Sequence, residues 1–457
     1  MALTAKYNMA DMPLRWGHIR VLIVGSMEQL IGAGLSTVAG IIIPMLKLME
    51  VQSDAEPMSA FMQGVLGASG LIGISSGSAV IGSLSDRYGY LFFFRLCPVL
   101  ITLGSLLIWL CPELWALILG LFIIGIGVGG GYTLDTDYIS EIMPDKWKLF
   151  MVGVAKATSS IGFFAVAGIC WWILSKDENV HIWNRLPLII GALGLLTLIL
   201  RIPFRQSPRW LMARGETAKA QAAVEYFLGK DVEIEPLPTR KSTIKPTPWL
   251  QMFRGENLKK VIFSGIPWAC EGVGVYGVGV FLPVLVMALG LNFTHDNGGF
   301  SSIISSVELT TIINFFIVPG FVLGLLLVRT HSHLRMLVRG FYASALGLIL
   351  LLCAYLLHWP VAFSVIGFFI FEVALNMGPH LITFIIPAQI YDVGERGAGS
   401  GIAAMLGKIG AIVGVFMMPA LLKWGGITLV LVACIVVSFI GGIISDVYGR
   451  QLMPDKK

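Results

Sequence analysis

Gly82-Ser83-Leu84-Ser85-Asp86-Arg87-Tyr88-Gly89-Tyr90, followed by Arg95, sets a charged, tight turn between two long apolar runs. The runs cover about 59–84 and 90–111. Each exceeds the roughly 20 apolar residues that cross a bilayer core as a helix. Working outward, the same pattern recurs along the whole chain. Twelve apolar runs are read, at about 20–48, 59–84, 90–111, 114–142, 149–174, 186–203, 260–290, 300–328, 336–357, 361–387, 398–421 and 426–446. Glycine and other small residues are frequent in them, which suits close helix approach in lipid.

Composition enforces the same reading. Of the 457 residues 56% are hydrophobic and 13% charged, with a mean hydropathy of +0.82. Soluble domains carry about 25% charged residues, so this chain lacks the groups to cover a water-facing surface. The net charge of +5 is dispersed among connections and makes no nucleic-acid footprint. The six cysteines, Cys97, Cys111, Cys170, Cys270, Cys353 and Cys434, lie in or beside apolar runs without paired spacing. They read as small apolar packers, with no disulfide framework, metal site or cofactor expected. Arg15 and Arg20 precede a first run too long for a signal-peptide core, so no cleavable leader is expected.

Lysine and arginine set the orientation. Lys6, Arg15, Arg20, Arg87, Arg95, Lys146, Lys148, Arg329, Arg335, Arg339, Arg396, Arg450, Lys456 and Lys457 fall on one side; the other holds Lys47, Lys176, Arg185 and Lys423. Both termini are expected in the cytoplasm, with the chain multi-pass in the cell (inner, plasma) membrane. The long polar segment 204–259 separates two sets of six runs. The expected organisation is an N-terminal bundle at 1–203, a cytoplasmic linker at 204–259 and a C-terminal bundle at 260–457. Within the linker, 217–228 reads as an amphipathic helix on the inner membrane face, followed by a proline-punctuated run from Pro236 to Pro248. The halves echo each other at an offset of about 245 residues. Loop 82–95 corresponds to 329–335, and Ser140–Pro144 corresponds to Ala388–Asp392. Parallel repeats of this kind place a binding site near the midplane.

The motifs resemble those of one large family. The G-x-L-x-D-R-x-G stretch at 82–89 is similar to the loop between spans two and three of major facilitator superfamily transporters. Gly125–Tyr132 followed by Tyr138–Pro144 resembles the span-four signature of sugar porters. Ser207-Pro208-Arg209-Trp210-Leu211 resembles their segment after span six. Asn376-Met377-Gly378-Pro379, Thr383–Ala388 and Gly407-Lys408-Ile409-Gly410-Ala411 are similar to signatures of proton-coupled phosphate symporters. The resemblance covers about 20–452 and points to the sugar, phosphate and organic-ion branch. It implies an all-α membrane protein with twelve transmembrane helices in two pseudo-symmetric six-helix bundles. Departures include Leu121 and Lys148-Leu149 where sugar porters carry arginine-containing signatures, and Gln389 where a glutamate is expected. The family's inner charge cluster is thereby reduced in the second half. Gating is assigned to Asp86, Arg87, Arg95 and Glu141, as an asymmetric latch stronger in the first half.

Ionisable groups within spans are costly and mark function by default. They are Glu28, Asp135, Asp137, Lys156, Glu271, Glu308, Glu372 and Lys408, with His380 as a polar neighbour. Glu28 stands where relatives carry a proton-coupling acid. Asp135 lies one turn beyond Gly131, the place of the phosphate symporters' aspartate, and Asp137 is about 200° around the helix from it. Proton coupling is assigned to Glu28 and Asp135, while Asp137 caps or pairs elsewhere, with Lys156 as one partner. Glu271 and Trp268 lie where sugar porters bind substrate in span seven. Lys408 takes the lysine of the phosphate-symporter motif, and His380 the place of an asparagine. Substrate contact is assigned to Glu271, Lys408, His380, Trp268 and Asn376, with Tyr276, Trp171 and Trp172 as further aromatic candidates. Each has a bland alternative in packing or hydrogen bonding.

The resulting expectation is a monomeric secondary active transporter moving a small polar metabolite with protons by alternating access. A proton-coupled efflux antiporter is the alternative; span five lacks the proline motif of exporters, which disfavours it. A nutrient sensor is less favoured because only about ten residues follow the last run. An enzyme is not expected, since no nucleophile–base pair, metal spacing or nucleotide loop appears.

Overall fold

A computed structural model describes residues 7–54, 56–177, 179–233, 249–291, 299–391 and 395–453. Among the described residues helices dominate, and eleven are long and apolar enough to cross a membrane. Spans one to five are Trp16–Gln52, Ala60–Ser85, Tyr90–Leu110, Leu114–Ile142 and Phe150–Lys176. Spans six to ten are Val180–Arg201, Gly255–Ala288, Gly299–Leu327, His333–Leu356 and Val361–Pro387. The last, Ala398–Leu452, has 55 residues. At 1.5 Å per residue that exceeds twice the bilayer core. It breaks at Gly425–Gly426, where Gly426 has φ 62° and ψ −161°, a conformation favouring glycine. The break divides it into spans eleven and twelve and gives the twelve expected.

The opening motif differs from its sequence reading. Helix continues from Ala60 to Tyr88, and the next begins at Tyr90, so only Gly89 interrupts. Gly89 has φ 97°, and a Cβ there would meet Gln206 Nε2 at 2.2 Å. The Gln206 side-chain oxygen accepts from the Leu91 N–H at 2.9 Å, capping the new helix. The connection is therefore a one-residue elbow braced by the segment after span six.

That segment is itself built by its motif. Ser207 accepts from Trp210 N–H at 3.1 Å and Pro208 opens the short helix Pro208–Ala213, the usual N-cap and first-position pairing. The expected amphipathic helix is Thr217–Leu228. Its face of Ala220, Ala223, Val224, Phe227 and Leu228 is buried. Phe227 packs against Tyr138 and Phe204, so this face joins the protein core. A two-residue parallel pairing joins β1, Tyr7–Asn8, to β2, Val232–Glu233. Arg15 grips Asp231 through both carboxylate oxygens, at 2.7 and 2.5 Å, and the Leu228 carbonyl at 2.6 Å. The proline run 236–248 lies outside the described residues.

Packing groups the chain into two compact units. One comprises Met1–Leu35, Ile72–Gly162 and Asn184–Thr243; the other comprises Ser36–Leu71, Phe163–Trp183 and Ile244–Lys457. Spans one, two and five each contribute one end to each unit. The first unit depends on the glycine-rich span four. A Cβ at Gly129 would meet the Ile74 carbonyl oxygen at 2.0 Å, and one at Gly127 the Cys97 carbonyl oxygen at 2.5 Å. The glycine run thus seats neighbouring helix backbones. In the second unit, a Cβ at Gly40 would meet Val280 O at 1.9 Å, and Asn314 donates to Phe163 O at 3.2 Å.

Candidate transport site

Span one breaks at Gly25–Ser26 and restarts at Met27, which puts Glu28 in a first helical turn. A carboxylate is favoured there by the helix dipole. The Ser26 carbonyl accepts from the Leu30 N–H at 3.4 Å and also from the Thr158 hydroxyl at 3.1 Å, so span five braces the restart. Glu28 is fully buried and bonds Nη2 of Arg201. Asp135 is 2% exposed and bonds the same nitrogen at 2.6 Å. Arg201 is fully buried; its other terminal nitrogen donates to the Phe94 carbonyl at 2.9 Å, and its guanidinium lies 3.7 Å from the Phe94 ring centroid. Among the described residues, Glu28 Oε1 and Asp135 Oδ2 have no hydrogen-bond partner. A Cβ at Gly131 would meet Glu28 Cγ at 2.3 Å, so an aspartate there would collide with Glu28. Asp135 reaches the cluster from one turn away instead.

The two coupling acids expected from sequence are brought together, and the cation between them was missed. Arg201 ends an apolar run, where arginine ordinarily reads as an interfacial anchor. The signal was indirect: two buried acids need a counter-charge. Arg201 therefore joins Lys156 and Lys408 among the basic groups of the spans. Asp137 is half-buried, on a different face from Asp135, as helical spacing requires.

In the second unit, Glu271 and His380 are 4% and 3% exposed. Glu271 Oε1 lies 2.8 Å from His380 Nδ1, and the imidazole meets Phe321 edge-on. Span seven is π-helical over Val273–Val278, immediately after Glu271, and span ten breaks at Gly378, just before His380. π-Segments and helix breaks at membrane depth are frequent at functional sites. Lys408 is half-buried, with Nζ 5.6 Å from the centroid of the buried Tyr276 ring. Asn376 donates to the Glu372 side chain at 3.1 Å and to its carbonyl at 2.8 Å. Trp268 packs on span eleven: a Cβ at Gly407 would meet its Cδ1 at 2.6 Å. Trp172 is 59% exposed. Glu308 is half-buried.

Among the described gating side chains, Arg87, Arg95 and Glu141 each have different partners. Arg95 donates to the carbonyls of Ile202 and Phe204, at 2.6 and 3.2 Å. Buried Glu141 accepts from the Ser207 hydroxyl. Arg87 is exposed over the Tyr88 ring, and the Asp86 side chain lies outside the described residues. The second half has links of its own. Lys260 pairs with Glu395 at 2.7 Å, and His333 bonds Gln389 at 2.7 Å. Gln389 therefore engages a histidine in place of a charge pair.

Twelve spans, with buried ionisable groups at interrupted helices, define a membrane carrier of the major facilitator fold. The family model for "Sugar (and other) transporter" matches residues 38–448, and the chain belongs to that family. It is 26% identical over 436 residues to the inner membrane metabolite transport protein YgcS of Escherichia coli, covering 94% of this chain and 92% of that protein. The putative metabolite transport protein YaaU of Escherichia coli is 23% identical, with 97% and 94% covered. Among solved structures, the proton:xylose symporter XylE from E. coli superposes with a TM-score of 0.74 at 18% identity, covering 96% of each chain. These proteins are transporters, and so is this one.

Proposed function

We propose that the protein is a proton-coupled symporter that imports a small polar metabolite across the cell membrane, acting as a monomer with both termini cytoplasmic. One observation carries this reading: two buried carboxylates, Glu28 and Asp135, share one nitrogen of Arg201. With both acids ionised the group holds one uncompensated negative charge in a low-dielectric core. One bound proton removes it. Like charges held this close take up protons as a set, so the cluster suits loading and release of one proton per cycle. Cargo is assigned to Glu271, Lys408, His380, Asn376 and Trp268. The bundles at 1–203 and 260–457 rock about this centre, with 204–259 joining them. Asp86, Arg87, Arg95 and Glu141 brace the inner side during that exchange.

Uptake into proteoliposomes, with and without an inward proton gradient, tests the reading. Gradient-driven accumulation is expected for the native protein. Glu28→Gln should lose accumulation while retaining exchange of cargo down its own gradient. Gradient-independent uptake by the native protein would overturn the coupling assignment.

A further inference from the structure

We propose that the cargo is a small zwitterion, its ammonium taken by Glu271 and its carboxylate by Lys408; this rests on the transport reading above. A neutral sugar is held by hydrogen bonds and aromatic faces, and needs no full charges. Ionised side chains at membrane depth carry a large desolvation penalty, which a site for neutral cargo has no reason to bear. Here the second unit commits both signs of charge to one helix crossing.

Span seven brings Glu271 and span eleven brings Lys408. The two helices meet closely at this level: a Cβ at Gly272 would meet the Gly407 carbonyl oxygen at 2.7 Å, and one at Gly410 the Ala269 carbonyl oxygen at 2.3 Å. Tyr276 follows Glu271 by five residues, about one turn of a π-helix, and its ring faces the Lys408 ammonium. Carboxylate and ammonium thus enter from adjoining helices beside one aromatic surface. His380 approaches from span ten and holds Glu271 at 2.8 Å. Glu372, on the same span as His380, is bonded to Asn376.

The arrangement selects by charge. An incoming ammonium replaces the imidazole at Glu271, and a carboxylate on the same molecule meets Lys408. A purely cationic cargo faces Lys408, and a purely anionic one faces Glu271, so each meets repulsion at one end. Glu271 and His380 both sit on α-helix, each two residues from irregular backbone, the π-segment that begins at Val273 and the break at Gly378.

Thermal-shift binding and proteoliposome counterflow with a defined panel test this. L-Alanine, β-alanine and γ-aminobutyrate present the two charges at different separations. D-Glucose and D-xylose are neutral, choline is cationic and L-lactate anionic. At least one zwitterion is expected to bind and to be transported. Lys408→Gln should weaken that zwitterion about tenfold or more and shift preference toward the matching amine without a carboxylate. A merely structural lysine would not produce that exchange of preference. Glu271→Gln should weaken the same zwitterion and shift preference toward the matching carboxylate without an amine; should it fail to fold, the Lys408 variant alone decides. Transport confined to glucose, xylose, choline or lactate would overturn the zwitterion assignment and leave the carrier reading standing. Inertness of all three zwitterions would also overturn it. Absence of gradient-driven uptake for every cargo would sink the symport reading itself.

Discussion

Arg201 is the residue on which the first unit's buried electrostatics turn. Its guanidinium is fully buried and carries both Glu28 and Asp135. Removing one member of a buried ion cluster costs about 3–5 kcal/mol, because the remaining charges stay desolvated without a partner. Arg201→Gln should therefore lower the unfolding temperature of the purified protein by several degrees. Adding Glu28→Gln and Asp135→Asn should restore much of the loss, since neutral groups do not need the cation. An unchanged unfolding temperature in the single variant would mean that the two acids are already neutral. The acids were legible in the sequence because Glu28 and Asp135 interrupt apolar runs. Arg201 was not, because an arginine at the end of a run looks the same whether it snorkels to the interface or turns inward. Only the fold shows which way it points.

At the level of elements, the periodic signals were the readable ones. The helix 217–228 was recovered with its boundaries, since its apolar spacing is local information. Its partner surface was not, because that requires knowing that Phe204, Tyr138 and the N-terminal segment converge on it. The loop at 82–90 was misread as a turn: its glycines and charges suggest a bend, yet only Gly89 leaves the helix. The pairing of β1 with β2 had no sequence signal at all, being two residues long and 225 positions apart. Its anchor, Arg15 with Asp231, has a pH signature. The Arg15 hydrogen bonds hold the Asp231 carboxyl down at about 2, below the ordinary aspartate value of about 3.9. A depressed pKa means that this contribution is fully present above the ordinary value. It is lost as pH falls through the range between the two. Amide protection factors at Tyr7–Ala10, corrected for the intrinsic pH dependence of exchange, should accordingly fall between about pH 4 and pH 2. Asp231→Asn should show the faster exchange already at neutral pH, with a flatter dependence. Equal protection in the variant and the native protein at neutral pH would mean that the strand pairing alone holds the segment.

The whole molecule must exchange helix contacts to move cargo, and the second compact unit contains helix approaches that leave no room for a side chain. In that unit the far ends of spans one and two sit against spans seven and eleven without room for a side chain. A Cβ at Gly40 would meet Val280 O at 1.9 Å, and one at Gly64 would meet Phe416 O at 2.6 Å. Phe61 packs edge-on against Phe416 beside them. Backbone approach of this kind is strong through its many short-range contacts, and no flexible side chain is present to yield. A large residue at Gly64 can be accommodated only by parting spans two and eleven. If rocking of the bundles opens and closes this face, the parted arrangement is one the carrier already visits. Gly64→Trp should then populate it without unfolding the protein. Spin labels near the ends of spans two and eleven should report a longer distance, and net uptake should fall to background. Retained uptake at the native distance would show that spans two and eleven do not close on each other during the cycle.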